Sequence, residues 1–599
     1  MNETTNDKIL GQVMEKVGAN GILTSYEALL LSLQLLGWAK MSRSGELREE
    51  LTIQQRSYAD PNWLTKVGDE LIKISDTLRL AYANWNTPSR LTPSLLLAAV
   101  DLCIRLAETG MIDTFDPTDS FVQYLGKDAS EYAIPPELAD VMTNLAMIEP
   151  HSSVYTPWLN SIQLASRAAK RGASVYMETM RVPLLPSLIG VFAKGQIIFA
   201  HGDPIREPSA VEGGELTKFD VCLAFPQIGL RYTSEVVDRD LYGRFGEQHT
   251  NSGTLLSIWH IMAQTRGRVV IVVPHSLLFS AGYERAMREE LLRKGIIEAV
   301  IAMPSGLLSY NNLSFALLVL NMSASRKSIR FVNADDDRFR EPISKARAKL
   351  IDIEGIIARA TGSLTDELVA EMSTDDVLAN DTMLLVSRYV LSESTRKTEH
   401  LLSLSSIRKL GEIVSILRPM PTISSDKAVK AWEVGTTDLP EFAYIAQPTK
   451  EVRIDPDTSL NNLQLFLQPL DIVVIIKGSV GKVGIVPENV PPPGEGGWIV
   501  GQSAVILRVI DHRIMSPKVL CVYLRSPIGK ELMEGIAVKG ATISLIHQRE
   551  LRQLQVVIPS KKDAVEVGNV LDEQARIQLE IEDLRTQQAE LAKLFWTLD

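Results

Sequence analysis

Cysteine is scarce in this chain of 599 residues, which contains only three. Cys103, Cys222 and Cys521 are isolated from one another, so they cannot build a disulfide framework or a cysteine-based zinc site. The eight histidines include no His-Glu-x-x-His pattern. We therefore expect neither a bound metal nor a structural disulfide.

Long apolar runs are also missing. No run approaches the roughly 20 residues of a membrane helix, and the polar residues Met1 to Lys8 lack the apolar core of a signal peptide. Charged residues make up 23% of the chain and hydrophobic residues 45%, which is typical of a globular protein. These features predict a cytoplasmic protein with no attachment to a membrane.

The chain has no excess of positive charge. It contains 62 basic and 73 acidic residues, a net charge of −11, which excludes nucleic-acid binding by bulk charge but not by a local basic surface. Residues 405–560 carry 17 basic and 15 acidic residues, whereas residues 561–599 carry 5 and 9. The slightly basic segment 405–560 is therefore where a DNA-contacting surface is expected.

Residues 1–150 predict an N-terminal helical domain. Leucines recur at helical spacing from Tyr26 to Trp38, and Ser25 is a plausible N-cap. Leu95 to Leu106 and Pro136 to Ile148 are further amphipathic segments.

Residues 151–330 predict an α/β core with a largely parallel sheet, because short β-branched runs alternate with helical patterns. The expected strands lie at 196–200, 219–224, 268–273, 297–302 and 314–321, and the expected helices at 255–264 and 283–294. Residues 331–404 are mixed and charged, and they predict a helical extension or linker.

Five segments in the middle of the chain follow one another in the order and spacing of a known family. They are Tyr132 to Glu137 (YAIPPE), Val154 to Gln163 (VYTPWLNSIQ), Phe219 to Gly229 (FDVCLAFPQIG), Gly267 to Pro274 (GRVVIVVP) and Leu291 to Asn321. They resemble the modification subunit of type I restriction-modification systems, which methylates adenine N6. The resemblance implies a Rossmann-like class I methyltransferase core.

The cofactor motif of that family is altered here. In the family, a glycine-rich loop lets the backbone approach S-adenosylmethionine, but residues 158–163 read WLNSIQ and contain no glycine. Thr156 replaces the aspartate that opens the loop, and Asn160 and Ser161 lie within it. Glu178 and Asp203 stand where the family has acids near the ribose and the adenine of the cofactor, and both are interpreted as vestigial.

The catalytic motif is altered as well. The family's Asn-Pro-Pro-Phe uses its asparagine to hydrogen-bond the adenine amino group and its aromatic ring to stack on the flipped base. Those four positions are Phe225, Pro226, Gln227 and Ile228, so no amide or carboxylate acceptor is present at the first of them. We therefore expect a pseudoenzyme with no cofactor. The alternative is an active S-adenosylmethionine-dependent adenine methyltransferase with unorthodox motifs.

Residues 405–560 resemble a target-recognition domain of a type I specificity subunit. The segments that carry this resemblance are 409–414 (KLGEIV), 470–473 (LDIV), 477–484 (KGSVGKVG), 516–524 (SPKVLCVYL), 540–545 (GATISL) and 551–559 (LRQLQVVIP). The glycines at 478 and 481 are too close together for a phosphate-binding P-loop, and a β-turn is expected instead. Nine side chains are candidates for contact with DNA. They are Lys477, Ser479, Lys482, Arg508, Lys518, Arg525, Lys539, Arg549 and Arg552.

Residues 561–599 predict a coiled-coil helix. Positions at alternating spacings of three and four form a seam that is mostly apolar. Gln574 and Gln588 are its polar members, at positions that tend to fix register or partner. The seam is Val567, Val570, Gln574, Ile577, Ile581, Leu584, Gln588, Leu591, Phe595 and Leu598.

Three functional hypotheses follow from these patterns. The first is a non-catalytic, sequence-specific protein that binds double-stranded DNA in a restriction-modification-like or phage-defence system. It would act as a homodimer, or in complex with other subunits through the C-terminal helix. The second is the active methyltransferase, and the third is a structural assembly subunit that does not touch DNA.

Overall fold

The structure is a computed structural model, and the chain divides into two compact units, Met1–Val390 and Leu391–Asp599. The residues that it describes lie in ranges separated by short gaps. These ranges are 4–53, 61–83, 85, 90–126, 129–246, 250–308, 314–344, 347–391, 397–398, 401–402, 405–421, 429–455, 462–539 and 544–593.

Helices dominate the first 150 residues of the first unit. The N-cap of helix α2 lies one residue earlier than predicted, because the side chain of Thr24, and not that of Ser25, accepts the backbone N–H of Glu27. The Glu27 carboxylate in turn accepts the backbone N–H of Thr24, which completes a capping box. The helices are α1 (Thr5–Gly18), α2 (Ser25–Ser44), α3 (Pro61–Leu71), α4 (Asp76–Ala81), α5 (Pro93–Glu108), α6 (Ala129–Tyr132) and α7 (Pro136–Leu145).

From residue 153 strands and helices alternate. The strands are β1 (Ser153–Pro157), β2 (Ser174–Thr179), β3 (Ile197–His201), β4 (Val211–Glu212), β5 (Glu215–Leu216), β6 (Phe219–Ala224), β7 (Thr265–Pro274), β8 (Ile297–Ala302), β9 (Phe315–Asn321) and β10 (Ser328–Asn333). The helices are α8 (Ile162–Lys170), α9 (Leu184–Gly190), α10 (Glu235–Asp238), α11 (Gly253–Gln264) and α12 (Tyr283–Arg293). The five strands and the two helices predicted in this region are confirmed, each to within three residues at either end.

The segment after residue 330 contains more strand than predicted. It forms the hairpin β11 (Arg340–Ser344) and β12 (Arg347–Leu350), helix α13 (Ile353–Thr361), strand β13 (Val369–Ser373) and helix α14 (Thr374–Ala379). Strand β13 pairs antiparallel with β10 and so satisfies the backbone of a strand whose Ile329 and Phe331 are fully buried. Sheet pairing therefore prevails over the charged, helix-like composition of this segment.

The strands form one large sheet in the order β13-β10-β8-β9-β7-β6-β1-β2-β3. Strands β3, β2, β1, β6 and β7 run parallel, and β9 runs antiparallel between β7 and β8. Side chains of β7 point alternately into two hydrophobic clusters, so the sheet is buried on both faces. The carboxyl ends of β1, β2 and β6 meet at one edge, which is called the carboxyl edge below.

The second unit is built from short strands. They are β14 (Ile407–Lys409), β15 (Val414–Leu417), β16 (Val429–Val434), β17 (Lys450–Ile454), β18 (Ile472–Ile475), β19 (Val483–Ile485), β20 (Trp498–Val500), β21 (Ala504–Val509), β22 (Val538–Lys539), β23 (Ser544–Leu545) and β24 (Gln555–Val557). Four of them form the antiparallel sheet β15-β21-β18-β19, and three form the sheet β17-β16-β20. The helices are α15 (Leu410–Ile413), α16 (Pro517–Arg525), α17 (Pro527–Ile536), α18 (Gln548–Gln553) and α19 (Lys561–Lys593).

Helix α19 changes its surroundings along its length. Leu571 is fully buried and Ala575 is 9% exposed, because this part of the helix packs on the core of the second unit. Further along, Ile577, Leu584 and Leu591 are 45%, 54% and 63% exposed. The last two members of the predicted seam, Phe595 and Leu598, lie outside the described residues. Pairing of this helix into a coiled coil therefore stays a prediction.

None of the described helices is long and apolar enough to span a membrane. Within the described ranges, no group of three or more His, Cys, Asp or Glu side chains is arranged to hold a metal ion.

Candidate functional site

The loop after β1 is the first component of the carboxyl edge. Trp158 adopts a positive φ of 74°, a region that favours glycine, and its N–H donates to the carbonyl oxygen of Glu178 at 2.8 Å. A 3₁₀ turn over Leu159–Ser161 leads directly into α8. The chain therefore makes the same strand-to-helix turn without glycine, and Trp158 carries the backbone strain of it.

Polar side chains of this loop are buried. Ser161 Oγ donates to the carbonyl oxygen of Pro157 at 2.6 Å, so its hydroxyl is satisfied locally. Thr156 is fully buried and Asn160 is 8% exposed. Thr156 Oγ1 and Asn160 Oδ1 are buried without a hydrogen-bond partner among the described residues. These two atoms are the part of the loop that retains polar capacity.

Glu178 ends β2 as a fully buried carboxylate. Its Oε2 accepts the Tyr155 hydroxyl at 2.6 Å, and its Oε1 accepts the Ser209 backbone N–H at 2.5 Å. The loop from Gly202 to Ser209 closes over it, and a Cβ at Gly202 would stand 3.0 Å from Glu178 Oε1. Burial raises the pKa of the Glu178 carboxyl, and its two hydrogen bonds oppose that shift.

A buried chain of hydrogen bonds continues from Glu178 into the sheet. The Tyr155 hydroxyl lies 2.9 Å from His260 Nε2, and His260 Nδ1 lies 2.8 Å from Arg244 Nη1. Arg244 Nε donates to Asp240 Oδ1 at 2.8 Å, and both side chains are at most 3% exposed. We call these five residues the buried polar chain.

Proton positions in the buried polar chain follow from its partners. Burial and the positive charge of Arg244 lower the pKa of His260 well below its usual range, so the imidazole is neutral. Because a guanidinium only donates, His260 Nδ1 accepts and its Nε2–H points to the Tyr155 oxygen. The Tyr155 hydroxyl then donates to Glu178. The polar groups at the floor of the carboxyl edge are therefore bonded to one another.

The other acidic candidate, Asp203, is engaged by its own loop. Its Oδ1 accepts the backbone N–H groups of Ile205 and Arg206 at 2.9 and 3.2 Å, and its Oδ2 accepts Arg206 Nη1 at 3.0 Å. The Arg206 guanidinium lies over the Tyr232 ring, 4.9 Å from its centroid. Asp203 thus shapes the loop that covers Glu178.

The loop after β6 is the second component of the carboxyl edge. The Phe225 side chain is 7% exposed and stacks on Phe315, with ring centroids 6.4 Å apart. Pro226 is buried as well, Ile228 packs partly on the same core, and Gln227 is exposed. The first position of the altered motif therefore belongs to the hydrophobic core.

One family model matches this region of the chain. Residues 118–398 match the family model described as N-6 DNA Methylase. We refer to residues 118–398 as the methylase region.

Solved structures agree with the fold of the methylase region. The chain is similar to the methyltransferase subunit of a type I restriction-modification system from Streptococcus thermophilus, with 14% identity and a TM-score of 0.53. That match covers 65% of this chain and 100% of the other. The chain is also similar to the type IIG restriction endonuclease BpuSI, with 11% identity, 95% and 74% coverage and a TM-score of 0.50. The predicted mixed α/β fold of the methylase region is thereby confirmed.

The residues of the methylase region do not fit S-adenosylmethionine in the manner of the family. The carboxylate at the ribose position, Glu178, is closed off by Gly202 to Ser209 and has hydrogen bonds on both oxygens. The turn after β1 carries side chains from Trp158 to Gln163 where the family has a glycine-rich loop. Only Thr156 Oγ1 and Asn160 Oδ1 offer unused polar atoms among the described residues of this turn.

In the second unit, the turn between β18 and β19 carries three of the DNA-contact candidates. The two strands are antiparallel, and Gly478 and Gly481 both have positive φ, at 89° and 83°. Lys477, Ser479 and Lys482 are exposed. Within the described residues neither lysine has an acidic partner. We call residues 477–482 the hairpin tip; it is a β-turn and not a phosphate-binding helix start.

Three other candidates are tied to the protein itself. Arg508 donates to both oxygens of Asp471 at 2.8 and 2.7 Å. Lys518 pairs with Asp572 at 2.9 Å. Arg525 donates to the carbonyl oxygens of Pro440, Ala443 and Val483, each at 3.0 Å. Their sequence neighbours gave no sign of these partners, which lie between 37 and 85 positions away.

The remaining candidates lie beside the hairpin tip or outside the described part. The Gly478 N–H donates to the Ser544 carbonyl oxygen at 2.9 Å, which joins the tip to β23. Helix α18 follows β23, and its Arg549 and Arg552 are exposed. The side chain of Lys539 and residues 540–543 lie outside the described residues. The exposed cations among the described candidates therefore lie on the hairpin tip and on α18.

Proposed function

We propose that this protein is a sequence-specific binder of double-stranded DNA in a restriction-modification-like or phage-defence system. In this proposal, its methylase region neither binds S-adenosylmethionine nor transfers a methyl group. The observation that carries the non-catalytic part is Phe225, which fills the first position of the catalytic motif with a core side chain.

Phe225 lacks what methyl transfer to adenine requires. The reaction needs an acceptor beside the amino group, so that the nitrogen becomes a better nucleophile. A phenyl ring accepts no such bond. Because the ring packs on Phe315, it is also not free to stack on a flipped base. Loss of one oriented hydrogen bond of this kind costs about 3 kcal/mol of transition-state stabilisation.

The closed state of Glu178 supports the loss of the cofactor. To receive two ribose hydroxyls, the carboxylate would have to give up Tyr155 and the Ser209 N–H. The Tyr155 hydroxyl would still accept His260 Nε2–H, but its own O–H would become a buried donor without an acceptor. Breaking buried hydrogen bonds to a charged group costs about 1.5–3 kcal/mol each. The binding free energy of the cofactor would therefore have to offset the cost of breaking these hydrogen bonds.

The hairpin tip and α18 supply the proposed DNA contacts. Lys477 and Lys482 are exposed and make no ion pair with a described residue, so they can approach phosphates, whereas Arg508, Lys518 and Arg525 are held by the protein itself. The two glycines at the tip also leave the backbone open for close approach, since a Cβ at Gly478 would meet no atom within 4 Å.

Selection from a pool of random duplexes, followed by sequencing, tests the DNA-binding part. We expect enrichment of one motif, with binding that weakens as salt is raised. A protein that shifts no duplex at low salt would be an assembly subunit, and the proposal would be wrong. Calorimetric titration with S-adenosylmethionine tests the cofactor part, for which we expect no heat of binding at micromolar concentrations.

A second function, adenine-N6 methyl transfer with unorthodox motifs, is favoured by one observation. Thr156 Oγ1 and Asn160 Oδ1 are buried polar atoms without partners at the end of β1, where a ligand would satisfy them. Incubation with radiolabelled S-adenosylmethionine and the selected duplex distinguishes the two functions. Incorporation of label into adenine would establish this second function and overturn the first.

A further inference from the structure

Phe442 presents a large apolar side chain on the surface of the second unit. The ring is 46% exposed, whereas Leu439 and Ile445, which lie on either side of it in the chain, are 8% and 1% exposed. Both of these neighbours belong to a hydrophobic cluster of the unit. An exposed phenyl ring is common by itself. Here, however, the loop that carries the ring is anchored in the core on both sides.

Arg525 fixes the same loop by hydrogen bonds. Its Nη2 donates to the carbonyl oxygens of Pro440 and Ala443 at 3.0 Å each, and these two carbonyls flank residues 441–442. Nε of the same guanidinium donates to the carbonyl oxygen of Val483 at 3.0 Å. Because a guanidinium is planar and rigid, the three bonds hold the loop in a fixed position relative to the start of β19.

The loop therefore lies beside the hairpin tip. Tyr444 forms a parallel bridge with Ile485 of β19. Two parallel segments advance together along the chain, so in this register Phe442 falls level with Val483. Val483 directly follows Lys482, the last residue of the hairpin tip. The exposed ring and the exposed lysines of the tip thus share one end of the four-stranded sheet.

The charges around the ring favour DNA as its partner. Lys477 and Lys482 are exposed, and neither has an acidic partner in the part of the chain that the structure describes. Glu441, which precedes the ring, lies 3.7 Å from the Lys530 ammonium, and this pairing offsets its negative charge. A DNA duplex presents stacked bases between two rows of phosphates, so it offers a partner both to the ring and to the lysines.

We propose that Phe442 inserts between two base pairs of the DNA bound at the hairpin tip, so that the second unit kinks the duplex there. This inference rests on the proposed function, because it needs a bound duplex. An apolar side chain that enters a base step unstacks it in part, and the additional contacts of the bent DNA offset that cost. Pyrimidine–purine steps unstack most easily. Phe442 would therefore contribute to sequence preference without reading the edge of a base.

The first test compares Phe442→Ala with the natural full chain in binding to the duplex obtained by selection. We expect the dissociation constant, measured by fluorescence anisotropy, to rise about five- to fiftyfold. The salt dependence of binding should stay the same, because no charge is removed. Phe442→Trp keeps a large ring and should retain the natural affinity. Since the side chain is exposed, neither variant should change the melting temperature.

Ile510→Ala is the matched control for this loss of apolar surface. The Ile510 side chain is 62% exposed, and the residue directly follows β21. The first residue of β21, Ala504, pairs with Ile475 beside the hairpin tip. Ile510 is therefore about 20 Å from the tip, at the other end of the strand. We expect this variant to bind DNA with the natural affinity, and a loss equal to that of Phe442→Ala would contradict the proposal.

The second test detects the insertion itself. The adenine analogue 2-aminopurine, whose fluorescence rises when it is unstacked, is placed at successive positions of the selected duplex. We expect the natural chain to raise the emission at one step and Phe442→Ala to leave it low at every step. A nick in one strand at that step lowers the cost of the kink without changing a base. It should tighten binding of the natural chain about threefold or more, and binding of Phe442→Ala much less.

The outcomes distinguish this inference from the proposed function. A natural chain that binds no duplex would overturn both. A natural chain that binds DNA without a rise in emission at any step would overturn the insertion of Phe442 and leave DNA binding in place. The same holds if Phe442→Ala binds DNA as tightly as the natural chain, and the ring would then be a candidate contact for another protein.

Discussion

The carboxyl edge of the methylase region and the hairpin tip of the second unit resemble candidate sites in sequence but differ in how their polar groups are used. At the carboxyl edge, the carboxylate oxygens of Glu178 and Asp203 accept hydrogen bonds from the protein itself. At the hairpin tip, Lys477 and Lys482 are exposed and make no ion pair with a described residue. A site that binds a ligand needs polar or charged groups that are not already paired within the protein. Of these two sites, the hairpin tip is the one that offers such charged groups.

The largest expected effect comes from breaking the buried polar chain. Arg244→Met leaves Asp240 charged, buried and unpaired, so we expect the free energy of unfolding to fall by about 3–5 kcal/mol. Chemical denaturation measures this loss. The matched control is Arg239→Met, because Arg239 pairs with Glu235 at the same spacing but both side chains are more than 60% exposed. If the two variants lose the same free energy of unfolding, burial does not determine how much the Arg244–Asp240 pair contributes to stability.

Restoring the missing acceptor tests whether the carboxyl edge is one substitution from activity. Phe225→Asn removes a core ring and should lower the free energy of unfolding by about 3 kcal/mol. We expect no methyl transfer, because the closed Glu178 and the turn without glycine remain. The measurement is label transfer from S-adenosylmethionine, with the unfolding curve confirming that the variant is folded. Activity in this variant would mean that the cofactor still binds.

The buried histidine gives the carboxyl edge a dependence on pH. The pKa of His260 is lowered in the folded protein, so below its usual value of about 6.5 the unfolded chain binds a proton that the folded chain does not. Stability is therefore lost as the pH falls from 6.5, by up to about 1.4 kcal/mol per pH unit from this residue.

His260→Gln removes that dependence and keeps one donor and one acceptor in the buried polar chain. We expect its free energy of unfolding to be less sensitive to pH between 6.5 and 5.5 than that of the natural protein. The raised pKa of Glu178 acts in the opposite direction, since the folded protein gains that proton first, but Glu178 is present in both proteins. His201→Gln, at an exposed histidine, should retain the natural slope.

The smallest effect is expected at the hairpin tip. Replacing Lys477 and Lys482 by alanine removes two proposed phosphate contacts and should reduce the salt slope of DNA affinity by about 2. Folding should be unaffected, because both side chains are exposed. Replacing Lys561 and Lys562 instead changes the net charge equally at the start of α19. If both pairs change the slope alike, the contacts are not located at the tip.

Strands and helices of the first unit could be predicted because their patterns are local. The run Val269 to Val273 is buried on both faces of the sheet, and its uninterrupted apolar, β-branched sequence indicates this directly. The strand at Val369–Ser373 was missed, because it depends on pairing with β10 and not on its own composition. The cap of α2 was placed one residue late, since Ser25 and Thr24 are both good caps and only Glu27 decides between them.

The candidate sites were harder to predict, because their chemistry depends on partners distant in sequence. Tyr155 and His260 are 105 positions apart, and nothing in the sequence around either residue points to the other, so the sequence gives no sign of the buried polar chain. Loss of the two family motifs was visible in Trp158 to Gln163 and Phe225, since it depends on residue type alone. The sequence shows which candidates are cations but not which of them are paired within the protein. Arg508 and Lys477 are therefore equally good candidates for DNA contact when judged from the sequence.

The number of residues in helix α19 determines how far the helix extends from the second unit. Its 33 residues extend about 50 Å at 1.5 Å per residue, and roughly 27 Å of that lies beyond Ala575, the last buried residue. Removing seven residues from the outer half would shorten this reach by about 10 Å and rotate the apolar face by only about 20°. Removing four would shorten it by about 6 Å and rotate the face by about 40°. The residue count of the helix thus sets both how far it reaches and the direction in which its apolar face points.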